Sequence, residues 1–222
     1  MRGLALILAW LATALGCASP RERLYTLSAS EPPAVVTTPT LHVVLGPVTI
    51  PPAVDRPQLV VRQSSVRLVA LEQERWAEPL REAVPRVLAD NMRSHLRNVS
   101  VTSQTTAAPH PDMRLIVDFT RFEAIAGQEV IIEAHWWLRS QGAKGGREES
   151  SVARVAVRGG PQDYDAIVAA EAAALDEIGS DLSRAIEEEE CMRILNQVEA
   201  AQNDQVAVVL TCERVGPHEV EL

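Results

Sequence analysis

The spacing of apolar residues changes between two periods along this chain, and that change limits the folds it can adopt. Apolar side chains at alternate positions predict three long β-strands, at residues 113–122, 129–139 and 150–158. Apolar side chains every three or four positions predict two helices, at residues 78–96 and 163–186. Gly127 and the glycine-rich residues 142–146 lie where hairpin turns belong, so the three strands form an antiparallel meander. The pattern is typical of the α+β class.

Shorter segments predict further elements around the first helix. The predicted short strands cover residues 24–27, 41–50, 58–62, 65–70 and 99–102. Gly46-Pro47 interrupts the second of these as a bulge or an edge feature, and Gln63-Ser64 forms a tight turn. Pro85 predicts a kink in the first helix, and Asp163 is a candidate cap for the second.

The third long strand has Val152, Val155 and Val157 as its candidate buried residues. In the second helix, the apolar stripe from Tyr164 to Ile186 predicts a buried face. The acidic run 187–190 is expected to end that helix as solvated surface, although negative charge is unfavourable at a helix C-terminus.

The N-terminus carries an export signal. Arg2 precedes an uncharged run rich in Leu and Ala, residues 3–16. As a helix this run spans about 21 Å, less than the ~30 Å hydrocarbon core, so it suits a signal peptide better than a membrane span. It ends in Ala14-Leu15-Gly16-Cys17, which resembles the lipobox of bacterial lipoproteins, where the Cys is acylated and becomes the new N-terminus. The alternative is an ordinary cleaved signal peptide with an incidental Cys.

The lipobox resemblance also implies a destination. Ala18 follows Cys17, in place of the Asp that resembles an inner-membrane retention signal. We therefore expect a lipid anchor at Cys17 on the periplasmic face of the outer membrane. Residues 17–23 then form a tether about 20 Å long.

Two cysteines remain once Cys17 is acylated. Cys191 and Cys212 form an even pair in an oxidising compartment, which favours a disulfide. Two buried thiols that never meet are the alternative. Neither a CxxC spacing nor a His cluster accompanies them, so no metal site is expected.

Composition and motifs exclude several function classes. The net charge of −9, from 21 basic and 30 acidic residues, argues against nucleic-acid binding. No GxSxG or HExxH motif is present, so we predict no catalytic residues, no enzyme activity and no cofactor. The segment around Lys144 lacks the spacing of a phosphate-binding loop.

Several short motifs, taken in order, resemble those of a known family. They are Tyr25-Thr26-Leu27, Gly46-Pro47-Val48-Thr49-Ile50-Pro51, Asp55-Arg56-Pro57-Gln58-Leu59-Val60, Arg75-Trp76-Ala77-Glu78-Pro79-Leu80, Arg121-Phe122-Glu123, His135-Trp136-Trp137-Leu138 and Tyr164-Asp165. The chain resembles the ABC-type transport auxiliary lipoproteins of the PqiC-like group, associated with MCE-type lipid transport. The motif Arg75-Trp76-Ala77-Glu78-Pro79-Leu80 is expected to open the first helix.

The resemblance implies an antiparallel sheet with two long helices on one face. The predicted organisation is a signal peptide at 1–16, a lipidated tether at 17–23, the auxiliary domain at 24–186 and a C-terminal extension at 187–222. That extension is expected to be a helix–strand appendage, with its helix at 191–201 and its strand at 206–214. The implied partners are an MCE-domain protein of the envelope and the outer-membrane lipid itself, and a homo-oligomer is left open.

Four residues of the matched motifs are candidate partner contacts: Asp55, Arg56, Arg75 and Trp137. Asp55 suits a local turn, while Arg56 and Arg75 suit either internal ion pairs or a partner. Trp136 and Trp137 point to opposite faces of a strand, so one of them should be more exposed. Two alternative functions remain beside auxiliary docking: a lipid-binding carrier, which needs an enclosed apolar cavity, and an outer-membrane assembly factor.

The lipid anchor is directly testable. Metabolic labelling with palmitate is expected to mark the wild-type protein and to be lost in Cys17→Ala, because the thioether is the attachment point. A full-length, unprocessed product found free in the cytosol would contradict the assignment.

Overall fold

An eight-stranded sheet carries both long helices on one face in the computed structural model. The structure describes residues 21–30, 38–103, 110–142 and 145–201. The strands are β1 (Arg23–Tyr25), β2 (Leu41–Thr49), β3 (Gln58–Ser64), β4 (Arg67–Trp76), β5 (Val99–Thr102), β6 (Met113–Ile125), β7 (Glu129–Ser140) and β8 (Arg147–Ala156). The helices are α1 (Leu80–His95) and α2 (Tyr164–Ala201). Cys17, Cys212 and the strand predicted at 206–214 lie outside the described residues.

Strand β6 joins the two halves of the sheet. One side of it pairs antiparallel with β7, which pairs antiparallel with β8, so the predicted meander is confirmed. Its other side is shared between two strands: β2 pairs parallel with its first half, and β3 pairs parallel with Ala124 and Ile125. From these, β5 extends the sheet beyond β2, and β4 and β1 extend it beyond β3.

The α+β class is confirmed, and the sheet is mixed rather than antiparallel throughout. Four strand pairs are parallel: β1 with β4, β2 with β5, β2 with β6, and β3 with β6. Each joins segments that are distant in sequence, as parallel pairing requires. The predicted irregularity at Gly46-Pro47 is confirmed as a register shift between Leu45 and Val48.

The hairpin between β3 and β4 corrects two predicted boundaries. Its turn falls at Ser65 and Val66 rather than at Gln63-Ser64. The first two residues of the motif at 75–80 end β4, and only its last residue, Leu80, begins the first helix. Strand pairing explains the extension, because the Trp76 amide donates to Pro57 O at 2.7 Å and the Ala77 amide donates to Tyr25 O at 2.7 Å.

One predicted face of β8 was wrong. Val152 is 53% exposed, whereas Ser151 and Ala153 are buried. Val152 lies three residues from Val155, and the two-residue period of a strand sends side chains at odd separations to opposite faces. Val155 packs against the core as predicted.

Helix α2 begins at its predicted cap, and it joins the two predicted helical segments, 163–186 and 191–201, into one helix. The Ala166 amide donates to Asp163 Oδ1 at 3.1 Å, so Asp163 caps the helix as expected. The predicted apolar stripe packs in the core. The acidic run 187–190 does not end the helix, which reaches Ala201. Arg147 donates to Glu188 and Ser140 to Glu189, each at 2.7 Å, so part of the run bonds to the sheet.

The two helices approach closely at Gly179. A Cβ atom added there would lie 3.0 Å from the Cβ of Asn91 on α1, which is tighter than ordinary packing. His95 Nε2 lies 3.0 Å from Asp176 Oδ1 beside this contact. Helix α1 itself continues through Pro85.

A carboxyl group is buried on α2. Glu171 is 3% exposed, and its Oε2 has no hydrogen-bond partner among the described residues. Burial raises the pKa of Glu171 to about 8, because desolvation disfavours the charged form. The folded protein therefore holds this carboxyl protonated at neutral pH, while the unfolded chain releases the proton.

We expect Glu171 to make stability fall as pH rises. Its folded pKa lies above its unfolded value, so its stabilising contribution is full below about pH 4.5 and is lost toward pH 8. The loss by pH 7 amounts to roughly 3 kcal/mol. Urea unfolding across this range should show that dependence in wild type and not in Glu171→Gln. Glu177→Gln, on the exposed side of the same helix, is the control, and equal pH profiles for all three proteins would contradict the assignment.

Candidate functional site

The edge of the sheet that follows the predicted tether is held by a buried carboxylate. Residues Arg23 and Tyr25 of β1 both donate to Glu74 of β4, Arg23 through Nε to Oε1 at 3.1 Å and Tyr25 through its hydroxyl to Oε2 at 2.7 Å. Glu74 is only 5% exposed. Burial, together with the bond to Glu74, raises the pKa of Tyr25 to about 12, so Tyr25 stays a donor at physiological pH.

Sequence reasoning missed Glu74 and Arg23, although Tyr25 was among the matched motifs. The available signal was a charged residue on a strand two positions before Tyr25, which places both side chains on one face. The partner lies 49 residues beyond Tyr25 along the chain, and only the parallel pairing of β1 with β4 brings them together.

Three of the four candidate partner contacts meet beside this edge. Residues 51–57 form a turn that packs against the end of β4, next to Trp76 and Pro79. The carboxylate of Asp55 lies 3.6 Å from Arg81 Nη1, and Arg75 pairs with Glu22 at 2.8 Å. Arg56 is exposed and makes no ion pair with another described residue.

Trp137 lies in a different part of the sheet. It pairs with Ile116 in the first half of β6, on the face opposite the helices. It is half-buried, and its ring meets the His135 ring edge to face, with centroids 4.5 Å apart. Trp136 is 2% exposed, and its Nε1 donates to Ser151 Oγ at 3.1 Å. The prediction that one of the two tryptophans is more exposed is confirmed.

A charged network crosses the same outer face where β3 meets β6. Arg62 forms a two-pronged ion pair with Glu123, and Arg121 bridges Glu123 at 2.9 Å to Glu133 at 3.1 Å. The bonds from Arg62 and then Arg121 hold the pKa of Glu123 below its usual value. The network ties β3, β6 and β7 together, which gives the Arg121-Phe122-Glu123 motif a structural role.

Within the described ranges, no three His, Cys, Asp or Glu side chains are grouped so that they could hold a metal ion. No helix in that part of the chain is long and apolar enough to cross a membrane. Cys191 lies half-exposed on α2, and Cys212 is outside the described residues, so their pairing stays a prediction.

Comparison with solved structures identifies the same fold elsewhere. A crystal structure of an uncharacterized protein matches with a TM-score of 0.62 and 22% identity, covering 75% of this chain and 99% of that one. Protein XCC0632 from Xanthomonas campestris, of the DUF330 family, matches with a TM-score of 0.58 and 18% identity, covering 81% and 99%. No curated protein matches the sequence.

Residues 25–183 match the family described as the ABC-type transport auxiliary lipoprotein component. The chain belongs to that family. The match begins at Tyr25, the residue that bonds to Glu74, and it ends within α2 before the acidic run.

Removing the Glu74 carboxylate is expected to loosen β1. Glu74→Ala leaves the Tyr25 hydroxyl and the Arg23 guanidinium without their partner, which costs about 1–3 kcal/mol of stability. Denaturant unfolding measures the loss, and hydrogen exchange at residues 23–25 locates it. The matched control is Glu22→Ala, which removes an exposed carboxylate from the Arg75 pair and should cost under about 1 kcal/mol. Equal losses in the two variants would contradict the role of Glu74.

Proposed function

We propose that this chain is a non-catalytic auxiliary lipoprotein, anchored through Cys17 to the periplasmic face of the outer membrane, where it docks an MCE-domain protein of an intermembrane lipid-transport system. The observation that carries the proposal is the closeness of the anchor to the folded body. Strand β1 begins six residues after Cys17, and its pairing with β4 ties it to the body. A lipid at Cys17 would thus hold the sheet within about 20 Å of the bilayer.

Family membership supports the proposed role as an auxiliary component of a transport system. The matched region includes the sheet from Tyr25, the last residue of β1, onward and most of the α2 stripe, so the family fold is the body that the anchor would hold. Ala18 supports the outer membrane as the destination, by the lipoprotein resemblance. Anchoring then restricts the search for a partner to the bilayer surface.

The outer face around Trp137 is the docking surface that we favour. Ile116, Trp137 and the exposed Val152 lie on this face, which neither of the two described helices covers. Arg114, Arg139 and Glu148 line the groove beside Trp137, so charge surrounds an apolar centre. A tryptophan within a charged rim is the arrangement typical of a protein interface.

The other candidate contacts, Asp55, Arg56 and Arg75, lie beside β1. Asp55 and Arg75 form ion pairs within the chain, so Arg56 is the residue of this group that is available to a partner. The surface around this group therefore lies next to the anchor. We propose that Arg56 contributes less to partner binding than Trp137, because Arg56 is a single exposed cation, whereas Trp137 combines an apolar ring with a charged rim.

Gentle crosslinking in membranes followed by purification should recover an MCE-domain protein with the wild-type chain. Trp137→Ala should reduce that recovery at least about fivefold, since truncating an interface tryptophan typically costs more than 1 kcal/mol. Val66→Ala, at the exposed tip of the β3–β4 hairpin, is the control that should leave recovery unchanged.

The outcomes separate the function from the surface. Loss of the partner with Arg56→Glu and not with Trp137→Ala would move the docking surface to the anchor side. Recovery of no MCE-domain protein by wild type would overturn the function. Stoichiometric lipid on the soluble domain purified without detergent would instead favour a lipid carrier.

A further inference from the structure

An apolar groove lies between the last turns of α2 and the edge of the sheet. Leu41 of β2 and Val99 of β5 form its sheet side, while Ile186, Cys191 and Ile194 form its helix side. Its volume is about 410 Å³. Ile194 is 44% exposed, so the helix side of the groove has apolar surface in contact with solvent.

The helix wall of this groove is particular to the C-terminal part of the chain. The family match ends at residue 183, and Ile186, Cys191 and Ile194 all follow it. The segment that forms the wall also leads directly into the last residues of the sequence. The helix wall of the groove and the C-terminal extension therefore both lie beyond the matched residues.

Residues 202–222 supply an apolar segment of suitable length. Residues 206–210 read Val-Ala-Val-Val-Leu, a β-branched run that favours an extended strand. Such a strand is about 14 Å long, and the helix wall from Ile186 to Leu195 is also about 14 Å long. Cys212 follows the run by two residues.

The chain can reach back to the groove. Helix α2 continues ten residues beyond Cys191, to Ala201, a rise of about 15 Å. The eleven residues from Ala201 to Cys212 span up to about 36 Å when extended, which exceeds the return distance. The rim carries charge of both signs. Arg97 is exposed and could pair with Glu213, which adjoins Cys212, whereas Glu187 and Glu190 make the helix side of the rim acidic, and Arg193 pairs with Glu190.

We propose that residues 202–222 fold back into this groove, with residues 206–210 on its apolar surface, and that a disulfide between Cys191 and Cys212 holds them there. The disulfide forms by thiol–disulfide exchange with a disulfide donor of the envelope. The two thiols lose two protons and two electrons, an S–S bond joins the two Sγ atoms, and the donor disulfide is reduced to two thiols.

The covalent part is tested by peptide mapping of the mature lipidated protein, purified in detergent without reductant. We expect one linked pair of peptides containing Cys191 and Cys212, which separates on reduction. Alkylation of both thiols before reduction, or linkage of either Cys to another chain, would overturn the proposal.

Seating of the segment is tested by hydrogen exchange at residues 206–210. The wild-type amides are expected to exchange at least about tenfold more slowly than those of an unstructured chain. Ile194→Asp, which places a charge in the groove, should remove most of that protection. Met192→Asp is the matched control, because Met192 is a similarly exposed apolar residue of α2 that does not line the groove.

Three results would overturn the seating. They are unprotected amides in wild type, equal protection in the two aspartate variants, and protection that rises with protein concentration. The last would assign the groove to a second copy of the chain. Exchange at β7 in each variant checks that the fold is intact.

Discussion

Strand β6 pairs with three other strands. On one side, β2 pairs with its first half and β3 pairs with its last two residues. Strand β7 occupies the opposite side along nearly the whole length. Every other strand reaches the sheet through one of these three. The arrangement places the helices over a single face, where they bury one continuous apolar core, and it leaves the other face for charge and for Trp137.

Because β2 and β3 share one side of β6, the contact between β3 and β6 is short, and charged side chains reinforce it. Where β3 meets β6, only two residue pairs form, and the paired charges of Arg62 and Glu123 span the contact. Glu74 acts similarly at the far edge, where three residues of β1 pair with β4. Short strand contacts are thus reinforced by partly or fully buried carboxylates, each bonded to an arginine and, at β1, to a tyrosine.

The structure separates the four candidate partner contacts, which the sequence placed in one group, into two regions of the sheet. Asp55, Arg56 and Arg75 lie with β1 near the predicted anchor, and Trp137 lies on the meander near the start of β6. The two sets of residues therefore lie in different parts of the sheet, with β3 and β6 between them. The C-terminal extension adds a third region beside β5, beyond the part that matches the family.

Local pattern was enough to predict the meander, the two helices, the Asp163 cap and the unequal exposure of Trp136 and Trp137, because each depends on residues close in sequence. Two predictions were wrong for different reasons. The face predicted for Val152 conflicts with the two-residue period of its own strand. The end of β4 depends on pairing with distant residues, because bonds to Tyr25 and Pro57 extend the strand to Trp76. The parallel partners, the Glu74 bonds and the Arg62–Glu123 pair were not predictable, because their members lie far apart in sequence, from 49 residues for Tyr25 and Glu74 to 70 residues (113 − 43) for Val43 and Met113. A sequence period states which side of an element is apolar, whereas the choice of strand partner depends on how all the elements pack at once, and only the tertiary structure decided it.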